Sequence, residues 1–326
     1  MDSRPQSDAG DVSDTAGASD AGDAVPEVLA GVPLDETSVE LMHSRLTSLD
    51  HLNLGQFTKL EYLGCRQNQL SSMQGLASIA RDVQEIDLYD NRIRRIEGVA
   101  GLRRLRWLDL SFNNIRKIEN LDAVAATLKE LFLVSNKVTQ IENLARLSQL
   151  TYLELGANRI RQIEGLCELK ALEQLFLGKN KIAKLEGLEG LSRLRVLSIQ
   201  SNRLTRIEGL EGLAGLEELY LSDNGVERIE GLEETLALTI LDVTNNRIEE
   251  LSGIRHLARL EDLWASGNRL ETFDSIESEC GPMDALRTVY FEFNPVQRAQ
   301  PTSYRRKLML ALPQITQIDA TRCRPD

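Results

Sequence analysis

Asparagines recur along this chain at an almost constant interval of 22 or 23 residues. Around each one the sequence follows the pattern LxxLxLxxNxIxxIE, as in the stretch from Leu105 to Glu119. A period this regular predicts a solenoid, because each unit can bury its apolar face only against its neighbours. The series consists of Asn68, Asn91, Asn113, Asn136, Asn158, Asn180, Asn202, Asn224, Asn246 and Asn268.

The residues eight, five and three before each asparagine are apolar, as in Leu172, Leu175 and Leu177 before Asn180. The last two alternate with residues of other character, which indicates a short strand with one buried face. In the residues that follow each asparagine, apolar side chains three positions apart and a glycine favour a 3-10 or single-turn segment. We therefore predict an α/β leucine-rich-repeat solenoid, with a curved parallel sheet on its concave side, short 3-10 or helical segments on its convex side, and a C-terminal cap.

Three regions follow from composition and pattern. Residues 1–36 carry nine acids against Arg4 and few apolar side chains, so we predict a disordered acidic tail. Residues 37–297 form about 11–12 repeats in this interpretation. Residues 298–326 contain an amphipathic helix that Pro313 ends, and we predict that this segment covers the last repeat as a C-terminal cap.

The sequence offers no chemistry typical of an enzyme. Its three histidines, His43, His51 and His256, are scattered, and no metal-ligand spacing, nucleophile motif or phosphate-binding loop occurs. We predict no catalytic residue, no metal and no cofactor. Without a signal peptide, and with no apolar run near the ~20 residues that span a bilayer, we expect an intracellular soluble protein with reduced thiols.

The concave face has an unusual composition. Strand alternation directs the residues six, four and two before each asparagine into the concavity, and the residue immediately before lies at its rim. Over eleven units, including one that ends at Asn294, these 44 positions hold eleven acids, only two bases (Arg66 and Lys179), and eleven of the fifteen aromatics. Aromatics with interleaved carboxylates favour a basic or mixed protein partner, and the lack of a basic stripe argues against nucleic acid.

Three stretches carry a more specific resemblance: residues 175–180, 198–204 and 305–313, together with Asn294-Pro295 and Ile318-Asp319. With the Ile-Glu-Gly-Leu repeats, they resemble the leucine-rich-repeat regulatory subunit 7 family of protein phosphatase 1 over roughly residues 38–322. The repeat alone is not specific, because the spliceosomal U2 A-prime protein and axonemal scaffolds share it. A structural scaffold of that kind is therefore the alternative function.

The resemblance implies a non-catalytic subunit, found in nucleus and cytoplasm, that binds the phosphatase catalytic subunit and controls its assembly, targeting or activity. It leaves open whether binding inhibits, matures or relocates the phosphatase, and whether a third, inhibitor-type protein joins. Asp262 stands where the family has a glutamate. Carried over by repeat position, the partner-binding residues are Asp109, Phe132, Glu154, Phe176, Asp242, Asp262, Trp264 and Tyr290.

A second phosphatase signal lies at Arg287–Phe291, which fits the short RVxF-type docking pattern of unrelated phosphatase regulators. Val289 and Phe291 occupy core positions of the Asn294 strand, so the segment could reach a partner only by unfolding its own repeat. We therefore interpret this match as a coincidence.

Overall fold

The computed structural model describes residues 27–79 and 81–323, and it arranges them around one continuous sheet of fourteen short strands. The strands follow one another in chain order, and every neighbouring pair is parallel except the last, β13 with β14. The strands are β1 (Ser38–Glu40), β2 (Tyr62–Gly64), β3 (Glu85–Asp87), β4 (Trp107–Asp109), β5 (Glu130–Phe132), β6 (Tyr152–Glu154), β7 (Gln174–Phe176), β8 (Val196–Ser198), β9 (Glu218–Tyr220), β10 (Ile240–Asp242), β11 (Asp262–Trp264), β12 (Thr288–Tyr290), β13 (Gln317–Ile318) and β14 (Thr321–Arg322).

The repeat period sets the register of the sheet. Leu175 pairs with Leu153 on one side and with Leu197 on the other, and all three are fully buried. The central residue of each three-residue strand thus points into a continuous leucine core, while its two neighbours point to the opposite face. The predicted solenoid with a parallel sheet is confirmed.

The segments behind the strands are short, as the 22-residue period requires. They include 3-10 turns at Asp50–Leu52, Leu54–Gln56, Leu76–Ser78 and Asp122–Val124, so the predicted 3-10 character of this side is confirmed. The exception is α1 (Asp274–Cys280), which lies in the longer interval between Asn268 and Asn294. The additional residues of that interval leave room for two helical turns.

The N-terminal boundary of the ordered chain differs from the prediction. Residues 27–36 were assigned to the disordered tail, but Glu27–Leu29 form a 3-10 turn and Leu29 is fully buried in the core. The prediction of disorder does not hold at Leu29 and Val32, because these side chains provide apolar surface that packs into the core. Residues 1–26 of the predicted tail lie outside the described part of the chain.

Two further helices, α2 (Pro295–Ala299) and α3 (Tyr304–Ala311), follow strand β12. Helix α3 buries Tyr304 and Leu308 in the core, and the hydroxyl of Tyr304 donates a hydrogen bond to Asp319 at 3.1 Å. The chain then returns to the sheet as β13 and β14. The division of the chain at residue 298, and the role of this segment as a cap, stay predictions.

The repeating asparagines form a ladder of hydrogen bonds behind the sheet. The side chain of Asn158, for example, accepts the backbone N–H of Val138 at 3.0 Å. Its amide group donates to the carbonyls of Leu133, Leu155 and Gly156 at 2.8 to 3.1 Å. One side chain therefore joins the backbones of two consecutive repeats at the point where each strand ends.

We expect Asn158→Ala to destabilise the solenoid by ~1–3 kcal/mol, because it leaves the buried N–H of Val138 without an acceptor. The cost at two of the carbonyl acceptors is smaller, because each keeps another hydrogen-bond donor. The amide of Asn136 also donates to Leu133, and that of Asn180 donates to Leu155. Urea unfolding followed by circular dichroism measures the change.

The matched control is Asn114→Ala, which removes the same amide one residue after a ladder position. The sequence places Asn114 toward solvent, but in the structure it is half-buried and accepts a hydrogen bond from Lys137 Nζ at 2.5 Å. Since the Lys137 ammonium can turn to water, we expect a loss below ~1 kcal/mol. Equal shifts of the two urea midpoints would contradict the ladder assignment.

Candidate protein-binding face

The concave side of the sheet presents two columns of side chains in register. We call the residues four before each ladder asparagine column 4, and those six before it column 6. Seven of the eight predicted partner-binding residues stand in column 4, and Asp262 stands in column 6 between Ile240 and Thr288. From β3 to β12, column 4 contains Asp87, Asp109, Phe132, Glu154, Phe176, Ser198, Tyr220, Asp242, Trp264 and Tyr290.

Aromatic rings from the two columns contact one another in two rows. Ring centroids within each row lie 4.7 to 6.2 Å apart at tilted or edge-to-face angles, which is the favourable range for aromatic pairs. These contacts hold the rings in place before any partner arrives. The first row is Trp107, Phe132, Tyr152 and Phe176, and the second is Tyr220, Trp264 and Tyr290.

Strand β8 separates the two aromatic rows. Its concave residues Val196 and Ser198 are smaller than the rings on either side, and a hollow of about 550 Å³ opens between Phe176 and Tyr220. Lining residues include Glu173, Glu217 and Glu218, with Arg195 bound to Glu217 at 2.6 Å. The concave face thus has two raised rows of aromatic rings with a hollow between them that is lined by glutamates. Its breadth suits contact with another protein.

Two of the predicted acids are nearly buried in the free protein. Asp109 is 7% exposed and Asp242 is 4% exposed, and each accepts a hydrogen bond from the backbone N–H two residues further on, in Ser111 and Thr244. Burial raises the pKa of Asp109, while the Ser111 hydrogen bonds act in the opposite direction. These two carboxylates therefore bind the backbone of their own repeats, and each exposes only a small area to a partner.

Glu154 is more accessible, and its position is fixed by a neighbour. The hydroxyl of Tyr152 donates a hydrogen bond to its carboxylate at 3.1 Å. Burial raises the pKa of Glu154, the Tyr152 hydrogen bond lowers it, and the charge of Asp109 raises it. Burial likewise raises the pKa of Tyr152, to which the charge of Glu154 contributes. An oriented, half-buried carboxylate can bind a cation at a small entropic cost.

Trp264 combines a large apolar ring with an unsatisfied polar group. Within the described chain its indole N–H is buried without an acceptor, and the hydroxyl of Ser266, two residues further along, is also buried without a partner. Unpaired buried polar atoms are uncommon in folded proteins and call for a specific explanation.

The eight residues carried over by resemblance omit three members of the aromatic rows. Trp107 contacts Phe132, Tyr152 contacts both Phe132 and Phe176, and Tyr220 contacts Trp264. The signal for them was present in the sequence, because each stands six or four residues before a ladder asparagine. The three residues were therefore among the eleven aromatics counted at concave positions, but the resemblance to the phosphatase subunit family did not select them.

The RVxF-like segment is part of the core. Val289 and Phe291 are both fully buried, on either side of the concave residue Tyr290. This burial agrees with the interpretation of the match as a coincidence.

The basic residues on the convex side form ion pairs with the recurrent glutamates. Arg95 contacts Glu119 at 3.0 Å and Arg206 contacts Glu230 at 2.8 Å, each one repeat further along. Such exposed pairs add little stability. Among residues 27–79 and 81–323 there is no cluster of three metal-ligating side chains. Nor does any helix in that part of the chain have the length and hydrophobicity to cross a membrane.

Comparisons with known proteins agree with this architecture. A family model described as "Leucine-rich repeat" matches residues 56–166, and one described as "Leucine Rich repeats (2 copies)" matches residues 170–214, 192–234 and 214–256. An internalin (InlF) of Listeria monocytogenes has a similar fold, with a TM-score of 0.67 at 20% identity over 88% of this chain and 87% of that one. The chain is a leucine-rich-repeat protein.

Two curated relatives are more specific. The protein phosphatase 1 regulatory subunit SDS22 of Schizosaccharomyces pombe is 48% identical over 83 residues, which is 26% of this chain and 24% of the relative. The protein of the same name from Saccharomyces cerevisiae is 43% identical over 88 residues, 26% of each chain. The matched region thus spans about a quarter of these relatives.

These matches confirm the resemblance to the leucine-rich-repeat regulatory subunits of protein phosphatase 1. The relatives are named regulatory subunits and the fold is a repeat solenoid, and both findings agree with the prediction that the chain is not an enzyme.

Proposed function

We propose that this chain is a non-catalytic regulatory subunit that binds the catalytic subunit of protein phosphatase 1 through its concave face. In this role it controls the assembly, targeting or activity of the phosphatase. The observation that carries the proposal is the double row of half-buried aromatics with interleaved carboxylates on the concave face. The names of the two yeast relatives support the choice of partner.

The composition of the face suits a stable protein interface. Aromatic side chains that are ordered before binding contribute large contact areas and lose little rotamer freedom. The acidic surplus of the concave positions selects a partner with basic groups and raises the rate of encounter. Phe132, Phe176, Trp264 and Tyr290 act as apolar anchors in this proposal. Asp109, Glu154, Asp242 and Asp262 supply negative charge.

Affinity purification of the tagged full-length chain, followed by mass spectrometry, tests the choice of partner. We expect the phosphatase catalytic subunit as the main bound protein. Recovery of an RNA-binding or axonemal protein in its place would point to the scaffold alternative.

The same preparation tests two further parts of the proposal. The mass of the purified assembly reports whether a third, inhibitor-type protein is present. Imaging of the tagged chain checks the proposed location in nucleus and cytoplasm, and exclusion of the tagged chain from either compartment would contradict it.

We expect Glu154→Lys to weaken binding of the catalytic subunit at least tenfold, which corresponds to ~1.4 kcal/mol. The substitution places positive charge against the basic surface that the acidic concavity is proposed to meet. The control is Glu211→Lys, which makes the same charge change at an exposed position behind the sheet. Titration calorimetry measures the affinity of the parent and of both variants. If both variants bound equally and more weakly than the parent, the net charge of the chain and not the position of Glu154 would set the affinity. If both bound like the parent, Glu154 would not lie in the interface.

A further inference from the structure

The residue immediately before each ladder asparagine has an unusual backbone conformation. In all eleven units its φ is positive, between 53° and 66°. This left-handed region is sterically favourable only for glycine and is tolerated best by asparagine and aspartate among the other residues. The chain adopts it here in order to leave the strand and enter the asparagine turn.

Nine of the eleven residues at this position are small, polar or flexible, and four of them are glycine, asparagine or aspartate, which suit this geometry best. The other two are Phe112, with a φ of 55°, and Phe293, with a φ of 64°. A bulky aromatic residue in this region is an outlier, and strained backbone conformations concentrate at functional sites. The nine are Gln67, Asp90, Ser135, Ala157, Lys179, Ser201, Asp223, Asn245 and Gly267.

Packing in the core does not account for either ring. Phe112 is 45% exposed and Phe293 is 59% exposed, so the aromatic surface faces solvent while the backbone beneath it is strained. The fold requires only the backbone conformation, and the repeats that carry Asn245 or Gly267 adopt it with less strain than those with a bulky residue. The backbone conformation is therefore unfavourable at both phenylalanines, and at Phe112 the ring contact with Tyr89 offsets part of that cost.

Phe112 is continuous with the concave face. Its ring lies 4.9 Å from that of Tyr89, and the guanidinium of Arg66 stands 4.7 Å from the centroid of the Tyr89 ring. Arg66 in turn pairs with the buried carboxylate of Asp87 in column 4 at 3.1 Å. A stack of side chains thus connects the concave acids to an exposed ring at the rim.

We propose that Phe112 and Phe293 are rim anchors, which contact apolar side chains of the same phosphatase catalytic subunit that the concave face binds. This inference rests on the proposed function. Eight strand steps of ~4.8 Å separate the two rings, or about 38 Å along the sheet. A compact partner of about 200 residues, with a diameter near ~40 Å, is wide enough to reach both.

The test replaces each phenylalanine by asparagine, which tolerates the left-handed backbone better than most residues other than glycine. We expect Phe112→Asn and Phe293→Asn each to weaken binding of the purified catalytic subunit at least tenfold. The double variant should lose on the order of a hundredfold, because sites so far apart act independently. The urea midpoint of each variant should equal or exceed that of the parent, since asparagine relieves the backbone strain.

Two controls accompany the titration. Phe112→Tyr keeps the ring and should bind like the parent. Leu236→Asn removes another exposed apolar side chain, 56% exposed and outside the sheet, and should also leave the affinity unchanged.

The outcomes separate the two hypotheses. A parent protein that does not bind the catalytic subunit overturns the proposed function and this inference with it. A parent that binds, together with asparagine variants of equal affinity, overturns the rim anchors alone. A lower urea midpoint for Phe112→Asn would also overturn them, because it would show that the ring serves the fold.

Discussion

Replacing Trp264 and Phe176 together by alanine is expected to weaken binding of the phosphatase catalytic subunit on the order of a thousandfold, while the solenoid stays folded. The two rings belong to different aromatic rows, one on each side of strand β8. Truncation of an aromatic anchor at a protein interface typically costs at least ~2 kcal/mol. Since the two sites share no ring contact, their losses should add.

The fold should tolerate both truncations because the rings lie on the face opposite the core. The core residues that flank them along their strands, Leu175 and Leu177 in one repeat and Leu263 and Ala265 in the other, are all fully buried and remain in place. No cavity opens between repeats. Loss of the Trp264 ring also removes a buried N–H that has no acceptor in the described chain.

Titration of each variant with the purified catalytic subunit measures the loss, and circular dichroism checks that each variant is folded. The matched control is Leu236→Ala with Leu310→Ala, which truncates two exposed apolar side chains on a loop and on helix α3. We expect this control to bind like the parent. A folded double aromatic variant with parental affinity would exclude the concave face as the docking surface.

The sequence was sufficient to predict the repeat architecture because the same spacing of apolar residues recurs in every unit. The apolar residues of one repeat, Leu172, Leu175 and Leu177, have counterparts 22 residues away on both sides, and the register of the sheet follows from that spacing. Departures from the period were harder to interpret. Helix α1 forms where four additional residues interrupt the series, and Leu29 joins the core from a segment with an acidic composition.

Alternation also predicted which side chains face the concavity, but it could not predict what each one does there. Asp109 and Glu154 stand two repeats apart in column 4. Asp109 turns to the backbone of Ser111 and is nearly buried, whereas Glu154 is held by Tyr152 and stays accessible. All three aspartates of column 4 accept this bond from the backbone N–H two residues further on, so the difference depends on the length of the acidic side chain. The repeat pattern does not specify that length.

The strain at Phe112 and the unpaired indole of Trp264 were equally invisible in the sequence. The first depends on a backbone angle and the second on the surroundings of one nitrogen atom. The repeat pattern identifies such residues by position, and only the three-dimensional arrangement shows that they are unfavourable in the free protein.

Leu175→Ala provides the converse of the aromatic variants, because Leu175 and Phe176 are adjacent in one strand and point to opposite faces. Leu175 is fully buried between Leu153 and Leu197, so its truncation leaves a cavity between three repeats. We expect a loss of ~2–5 kcal/mol in the free energy of unfolding, measured by urea denaturation. In a solenoid only neighbouring repeats make contact, and distant repeats cannot compensate.

Under conditions where Leu175→Ala remains folded, it should bind the catalytic subunit as the parent does, since the concave side chains keep their positions. Phe176→Ala should show the reverse, with a parental urea midpoint and weakened binding. Leu175→Met, which conserves volume, should cost less than ~1.5 kcal/mol and so distinguishes a cavity from a general effect of substitution. If Leu175→Ala lost affinity at an unchanged midpoint, the two faces of the strand would be assigned the wrong way round, and the proposed docking surface would lie on the other side of the sheet.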